Sequence, residues 1–279
     1  FAASPEQPLD WNESGVHSIY KFLQRFMGLF EEGKHIDSIK DKLVLSKTHR
    51  TIKAVGDEIE TFQLNTAVIK AMDFVHFLHK NREHTSAKVY KEALAAACVI
   101  FSPIIPHTCE EGWESLGKKG FVSLDHWPLY DEKKIDVTAE TADAIAEQTR
   151  SDILTVLELA KIAKPKNMTL LVAPQWKYDL ITLLKQHISQ TRDPGVILKE
   201  VMKTDLKRYG QDIIKMVPKL IEKMPETVLD ENTEVKALQA VVKDLEKEFD
   251  CTVTVIKASE SKDQKARVAM PGKPAIVVQ

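Results

Sequence analysis

Several features that mark common enzyme classes are missing from this 279-residue sequence. Its three cysteines, Cys98, Cys109 and Cys251, form no CxxC pair, so reduced thiols in a cytoplasmic protein fit better than a disulfide framework. The ten glycines build no phosphate loop, because Gly117 and Gly120 lack the Lys-Ser or Lys-Thr ending that such a loop needs. No apolar run approaches roughly 18 residues, so we expect no contact with a membrane.

The N-terminus, FAASPEQPLDW, also lacks two features of a targeting segment. It has neither the basic region nor the apolar core of a signal peptide, which agrees with a cytoplasmic protein. It does not begin with methionine, and this favours a fragment or a processed chain.

Two groups of residues that contain histidine could be interpreted as a metal site or a nucleophile pair. In both, a structural role is favoured. His107 and Cys109 are too few to ligate zinc, and residues at i, i+2 on a helix do not face each other. His76 and His79, with His84 beyond, lack the carboxylate of an HExxH set. We therefore expect neither a catalytic residue nor a bound metal in this chain.

The stretch FSPIIPHTCEEGWESLG, residues 101–117, is instead interpreted as a hinge between helices. Ser102-Pro103 stops one helix, because proline disfavours helical geometry in the residue before it. Pro106 suits the first turn of the next helix, and Gly117 suits its C-terminal cap. Glu110 and Glu111 would lie near that first turn, where negative charge is favourable.

Apolar residues at spacings of three and four predict helices through the first half of the chain. We expect one over Asp10–Phe30, a second from Ser46 or Thr48 with a break near Leu64, and a third over Ser86–Phe101. Long helices with short links form an antiparallel bundle. The first predicted domain is thus an α-helical bundle over residues 1–133.

The second half mixes helices with short β-branched runs. Helices are predicted over Thr138–Ile162, around Leu180, in two short pieces after the turn Asp193-Pro194-Gly195, and over Val235–Phe249. Strands are predicted at three places: Met168–Ala173, Cys251–Ile256 and Ala275–Val278. This order predicts a small α/β (α+β) domain with a minimal sheet over residues 134–279.

Charge is distributed unevenly along the chain, although the net charge is only −2. Residues 161–223 contain 13 basic and 6 acidic residues, whereas residues 101–160 contain 5 basic and 12 acidic residues. Because a polyanion responds to the local field, residues 161–223 are the candidate segment for binding one.

Lysines of this segment recur every four residues, a spacing that places them on one face of a helix. Such rows suit phosphate contacts, and the alternative is that they simply cover exposed helix faces. The candidates are Lys199, Lys203 and Lys207, then Lys215, Lys219 and Lys223, with Arg208 between the two trios and Lys164 and Lys166 upstream.

Four segments, in order along the chain, resemble one family. FQLNTAVIKAMDFV, and then SPIIPHTCEEGWESLG with FVSLDHWP, resemble the anticodon-binding helical domain of class I aminoacyl-tRNA synthetases for leucine, isoleucine and valine. The start, FAASPEQPLDWNESGVHSIYKFLQRF, is similar to leucyl-tRNA synthetases. The end, AMPGKPAIVV, resembles the C-terminus of the archaeal and eukaryotic type.

This resemblance implies a leucine–tRNA ligase whose ATP-dependent catalytic domain, with its histidine- and lysine-containing signatures, is not in this sequence. The chain alone would need no cofactor, form no leucyl-adenylate and edit no mischarged tRNA. It would bind leucine tRNA, with the bundle along the inner side of the L and the C-terminal domain at the long variable arm. Its other partner would be the rest of the synthetase, in cis or as a separate subunit.

With the resemblance, the RNA interpretation of the lysine rows becomes the preferred one, and further cations join the candidates. Lys265, Arg267 and Lys273 lie near the tail, and Arg25, Lys47, Arg50 and Lys53 lie in the predicted bundle. Two alternatives stay open: the corresponding part of an isoleucyl- or valyl-tRNA synthetase, and a helical scaffold that binds a protein partner.

Overall fold

The structure, a computed structural model, describes residues 7–8, 10–31, 33–189, 191–225 and 227–279. Residues 1–6 and 9, which carry part of the N-terminal resemblance, lie outside the described residues. The described residues form eleven α-helices and three β-strands. The chain divides into two compact units, Phe1–Glu140 and Thr141–Gln279. This agrees with the predicted fold class, a helical bundle followed by a small domain with a minimal sheet.

The division between the units falls a few residues after the boundary predicted between residues 133 and 134. The segment on either side of the predicted boundary is hydrogen-bonded to the bundle: His49 Nδ1 accepts from the backbone N–H of Asp131 at 3.2 Å. Ser46 Oγ likewise accepts from the N–H of Asp136 at 2.8 Å and donates to Glu140 Oε1 at 2.6 Å. These bonds tie the chain to the bundle as far as Glu140.

The first unit is built from five helices, with a twelve-residue link, residues 29–40, between the first two and short links between the others. They are α1 (Glu13–Gly28), α2 (Asp41–Glu60), α3 (Leu64–Asn81), α4 (Ala87–Phe101) and α5 (Pro106–Ser115). The predicted break near Leu64 and the proline start of α5 are confirmed. The predicted start of α2 at Ser46 or Thr48 is wrong, because Leu43 and Val44 extend its buried stripe toward the N-terminus.

Aromatic and small residues share the core of the first unit. The ring centroid of Phe101 lies 5.7 Å from that of Phe22 and 5.4 Å from that of Phe26. Ala93 and Ala97 on α4 are also buried, and their small side chains let neighbouring helices approach closely. Each buried phenylalanine contributes about 1.5–3 kcal/mol to the stability of this bundle through apolar burial.

The hinge after α4 has the predicted course, but its glutamate has another role. Gly117 adopts a φ of +72° just beyond α5, the left-handed geometry of a helix C-cap. The carboxylate of Glu110 accepts from the backbone N–H of Val122 at 2.8 Å and from Ser123. It therefore fixes the chain after α5 in place. Desolvation is the largest single effect on the pKa of its carboxyl group and raises it, but the hydrogen bonds together outweigh this effect and lower the pKa below its ordinary value.

The second unit contains helices on a three-stranded sheet. The helices are α6 (Val137–Ala160), which starts in the first unit, α7 (Gln175–Ile188), α8 (Pro194–Val201), α9 (Gly210–Glu222), α10 (Glu231–Ala240) and α11 (Val242–Phe249). The strands are β1 (Asn167–Val172), β2 (Thr252–Lys257) and β3 (Ala275–Val278). β1 is central, parallel to β2 and antiparallel to β3.

The single helix predicted over Val235–Phe249 is two helices. Val241 has a φ of −102° and a ψ of 1°, which ends α10, and α11 begins at the next residue. Val241 and Val242 are both β-branched and lose side-chain freedom in a helix, so the break falls where helix propensity is low. Leu238 and Leu245 are buried, one on each side of the break.

Two buried charges of α7 and α10 hold the segment before β3. Lys177 is 3% exposed, and its Nζ donates to the carbonyl oxygens of Arg267 and Ala269 at 2.7 and 2.6 Å. Glu234 is fully buried, and its Oε2 accepts from Tyr178 OH and from the N–H of Gly272, both at 2.8 Å. Gly272 turns with a φ of +77°, a conformation that favours glycine.

Candidate nucleic-acid interface

The first lysine trio does not share one helix face, so that prediction is wrong. Lys199 lies on α8, which ends at Val201, and Lys203 follows the helix end. Lys207 lies in a separate 3₁₀ turn, Asp205–Tyr209. The cause is local: Thr204 has extended geometry, and its side chain accepts from the N–H of Leu206, which starts the new turn.

The second trio is closer to the prediction. Lys215 and Lys219 are exposed one turn apart on α9, opposite a buried stripe of Ile213, Val217 and Leu220. Lys223 caps the helix with a φ of −130° and a ψ of 72°, so it lies just outside the helical face. Two of the three lysines therefore share one face.

Many of the predicted cations of the second unit are free to meet an anion. Within the described residues, nine of them are exposed and make no ion pair: Lys164, Lys166, Lys199, Lys207, Arg208, Lys215, Lys219, Lys223 and Arg267. An unpaired surface cation can bind a phosphate without first breaking an ion pair with an acidic residue, so these nine are the stronger candidates.

The other candidates of the second unit already have partners. Lys203 Nζ lies 2.7 Å from Glu200 Oε1, and Lys273 Nζ lies 3.9 Å from Asp152 Oδ2. Lys265 Nζ donates to the carbonyl oxygen of Ile276 at 3.2 Å. Each of these would have to leave or share its partner to bind RNA.

Most candidates of the first unit are also engaged. Arg50 Nε lies 2.6 Å from Glu140 Oε2, and Lys53 Nζ lies 3.3 Å from Asp57 Oδ2. Arg25 Nη1 lies 2.8 Å from His76 Nε2, and the pKa of His76 is lowered, first by partial burial and then by the charge of Arg25. Lys47 is half-buried and has no ion pair within the described part of the chain.

The histidine and cysteine side chains provide no reactive centre at the hinge. Cys109 is fully buried while His107 is exposed, so the two groups do not face each other. Burial raises the pKa of the Cys109 thiol, which keeps it in the protonated, weakly nucleophilic form. In the ranges that the structure describes, no three or more His, Cys, Asp and Glu side chains are grouped to hold a metal ion.

Sequence reasoning missed an aromatic pair beside the basic residues. The rings of Trp176 and Tyr209 stack with centroids 4.4 Å apart and planes at 12°. The Arg208 guanidinium carbon lies 4.9 Å from the Tyr209 centroid. The two rings are far apart in sequence, so no spacing relates them. The Lys207-Arg208-Tyr209 run, an aromatic residue directly after two cations, was the available signal.

The described part of the chain contains no helix that is long and apolar enough to cross a membrane.

Comparison with protein families gives a positive result. Residues 41–171 match the family described as the anticodon-binding domain of tRNA ligase. That match begins at α2 and continues through α6 to β1, so it includes most of the bundle and the start of the second unit.

Curated relatives cover nearly all of the chain. It is 30% identical to the leucine–tRNA ligase of Halobacterium salinarum over 99% of its own length and 32% of that protein. It is also 30% identical to the leucine–tRNA ligase of Pyrococcus horikoshii, over 99% of its length and 30% of that protein. With the leucine–tRNA ligase of Methanocaldococcus jannaschii the identity is 31%, over 89% of this chain and 26% of the relative.

The chain spans between about a quarter and a third of the length of these relatives. Among solved structures, it is similar to a chain in the ternary complex of Agrobacterium radiobacter K84 agnB2 LeuRS, tRNA and LeuAMS. There the identity is 21%, the TM-score is 0.41, and 46% of this chain and 18% of that chain are covered, a likeness too weak to carry an argument. Residues 41–171 therefore match the anticodon-binding domain of tRNA ligases, and the chain is similar, over almost all of its length, to part of the leucine–tRNA ligases.

Proposed function

We propose that this chain is the tRNA-binding portion of a leucine–tRNA ligase. The observation that carries the proposal is its relatedness to leucine–tRNA ligases over 99% of its length, together with the anticodon-binding match over residues 41–171. The exposed and unpaired cations of the second unit support it, because phosphate contacts supply much of the affinity for RNA.

The chain contributes binding and positioning rather than chemistry. Holding the tRNA body in one place presents its 3′ end to the catalytic site in the rest of the ligase, which turns binding energy into proximity. ATP and leucine are substrates of that remaining part, and this chain needs no cofactor. Given leucine and ATP, the chain alone forms no leucyl-adenylate. The whole enzyme acts in the cytoplasm.

The two units bind different parts of leucine tRNA. The bundle lies along the tRNA body, with Lys47, which makes no ion pair within the described residues, among its phosphate contacts. The second unit lies against the long variable arm, with Lys215, Lys219 and Arg267 among its phosphate contacts. Phosphate contacts fix orientation, and the shape of the arm supplies selectivity among tRNAs.

Filter binding with two RNAs tests this assignment. One is a leucine tRNA transcript, and the other is the same transcript with its long variable arm replaced by a short loop. The proposal predicts at least tenfold tighter binding of the transcript that has the arm. A protein-interaction scaffold would bind neither RNA, and an isoleucine or valine enzyme would gain nothing from the arm. Equal affinity for the two transcripts therefore contradicts the proposal.

A further inference from the structure

A cavity of about 710 Å³ opens in the second unit between the start of α7 and the 3₁₀ turn Asp205–Tyr209. This volume is within the range of roughly 300–1,000 Å³ that is typical of small-molecule and cofactor sites. Leu183 and Leu206 line the cavity with apolar side chains, and Trp176, Arg208 and Tyr209 line it with planar groups.

The flat groups form a layered surface. The Trp176 and Tyr209 rings stack at 4.4 Å, and the Arg208 guanidinium carbon lies 4.9 Å from the Tyr209 ring. Trp176 and Tyr209 are both half-buried, while Arg208 is exposed. Aromatic rings and guanidinium planes that remain accessible to solvent are the surfaces on which unpaired nucleobases stack.

The acidic groups at the rim of the cavity favour an uncharged nucleobase over a phosphate group. Four carboxylates line the cavity, those of Asp179, Asp205, Glu231 and Glu260. Lys257 Nζ neutralises Glu231 at 2.7 Å, and Asp179 Oδ1 accepts from Gln175 at 2.9 Å.

The other two carboxylates are available to a ligand. Asp205 and Glu260 are exposed and make no side-chain hydrogen bond or ion pair within the described residues. They can therefore accept from N–H groups inside the cavity and would repel a phosphate there. Guanine presents two adjacent donors on its Watson–Crick edge, N1–H and the 2-amino group, which a carboxylate can accept together.

We propose that this cavity binds an unpaired nucleobase, with guanine preferred, stacked on the Trp176–Tyr209–Arg208 surface. The base edge meets Glu260 or Asp205, and the sugar–phosphate stays outside, where Lys207 is exposed and unpaired. That the base belongs to a tRNA rests on the proposed function, whereas the cavity chemistry itself would also suit a free guanine nucleotide.

Tryptophan fluorescence tests the proposal directly, because a base stacked on the Trp176–Tyr209 pair quenches Trp176. The 279-residue chain is titrated with GMP, with AMP, with an RNA hairpin that has one unpaired guanosine in its loop, and with a fully paired RNA duplex. A Trp176→Phe variant identifies the part of the signal that comes from Trp176. Trp127→Phe, a change in the other unit, is the matched control and should keep the full quench.

Two substitutions at Tyr209 separate stacking from folding. Tyr209→Phe keeps the ring and should bind the hairpin within twofold of wild type. Tyr209→Leu removes the ring and should weaken binding by roughly 5- to 150-fold, the range for loss of one base–aromatic stack. Glu260→Gln combined with Asp205→Asn should abolish the preference for GMP over AMP. A thermal melt that matches wild type shows that each variant is folded.

The outcomes distinguish the source of the base and the fate of each proposal. Binding of the hairpin alone assigns the cavity to RNA, and binding of GMP alone assigns it to a free nucleotide; both support the proposal. A Tyr209→Leu variant that binds like wild type, or equal quenching by the paired duplex, overturns it. If leucine tRNA binds while Tyr209→Leu has no effect, only this inference fails. If GMP binds at Tyr209 but leucine tRNA does not bind, only the proposed function fails.

Discussion

At the scale of single residues, the buried charges Lys177 and Glu234 decide where the tail cations lie. Their hydrogen bonds hold residues 267–272, the segment that contains Arg267 and directly precedes Lys273. Burial lowers the pKa of Lys177 and raises that of Glu234, because each loses the hydration of its charged form. Neither role follows from sequence, where both residues look like ordinary surface charges of helices.

Glu234 provides a prediction about stability and pH. Its pKa is raised above the ordinary value of 4.5 in the folded state, so the folded chain binds the proton more tightly than the unfolded chain. Its contribution to the free energy of unfolding is therefore greatest below pH 4.5 and is lost as pH rises through the folded pKa. Glu234→Gln should remove this dependence and be at least as stable as wild type at pH 7.5.

Urea unfolding at pH 5 and pH 7.5 measures the effect. Glu234→Ala leaves the Tyr178 hydroxyl and the Gly272 N–H without an acceptor and should cost about 1–3 kcal/mol at either pH. Tyr178→Phe, which removes one donor only, is the control for the site. A Gln variant that is less stable than wild type by more than about 1 kcal/mol at pH 7.5 would show that Glu234 is stabilising as an anion.

At the scale of elements, a glycine determines how closely α5 packs on the residues that follow α1. A β-carbon on Gly112 would lie 2.6 Å from Cζ of Phe30, a distance that requires the ring to move. That ring already packs edge-on against Phe26, with centroids 5.3 Å apart. Gly112→Ala should therefore destabilise the chain by about 1–3 kcal/mol through overpacking.

Gly28→Ala is the matched control for this prediction. Gly28 lies at the end of α1, and a β-carbon there would have no atom within 4 Å. This change should leave stability unchanged or raise it by up to about 1 kcal/mol, through helix propensity alone. Thermal melts of the two variants compare them, and equal melting temperatures would contradict the packing account.

The helices show what a sequence can and cannot predict. The spacing of apolar residues and the two prolines predicted α4 and α5, because Pro103 and Pro106 restrict the backbone of the residues next to them. The same reasoning failed at Lys199, Lys203 and Lys207, where spacing of four suggested a helix and Thr204 started a new turn. Side-chain capping and β-branched pairs such as Val241-Val242 act within two or three residues, and a periodic pattern does not reveal them.

The candidate site was predictable in composition but not in geometry. The excess of cations over residues 161–223 is visible in the sequence. Which of them stay unpaired depends on acids that approach through the fold, as Asp152 approaches Lys273. The Trp176–Tyr209 stack depends on tertiary packing between α7 and a 3₁₀ turn, so it could not be read from either segment alone.

At the scale of the whole molecule, the central claim is that the cations of the second unit bind tRNA phosphates. A net charge of −2 does not oppose it, because basic and acidic segments alternate along the chain. Replacing Lys215, Lys219 and Lys223 by glutamate reverses charge on exposed residues without touching the core. The same reversal at Lys236, Lys243 and Lys247, exposed lysines of α10 and α11, changes the total charge equally and is the matched control.

The most direct test measures the affinity for leucine tRNA from about 50 to 200 mM salt, a range over which phosphate contacts weaken markedly. The account predicts that K215E/K219E/K223E weakens binding and reduces the slope of log affinity against log salt by about 1 for each lost phosphate contact. The slope of K236E/K243E/K247E should stay close to that of wild type. If both triple variants shift affinity and slope equally, or neither does, these three lysines do not bind the phosphates of tRNA.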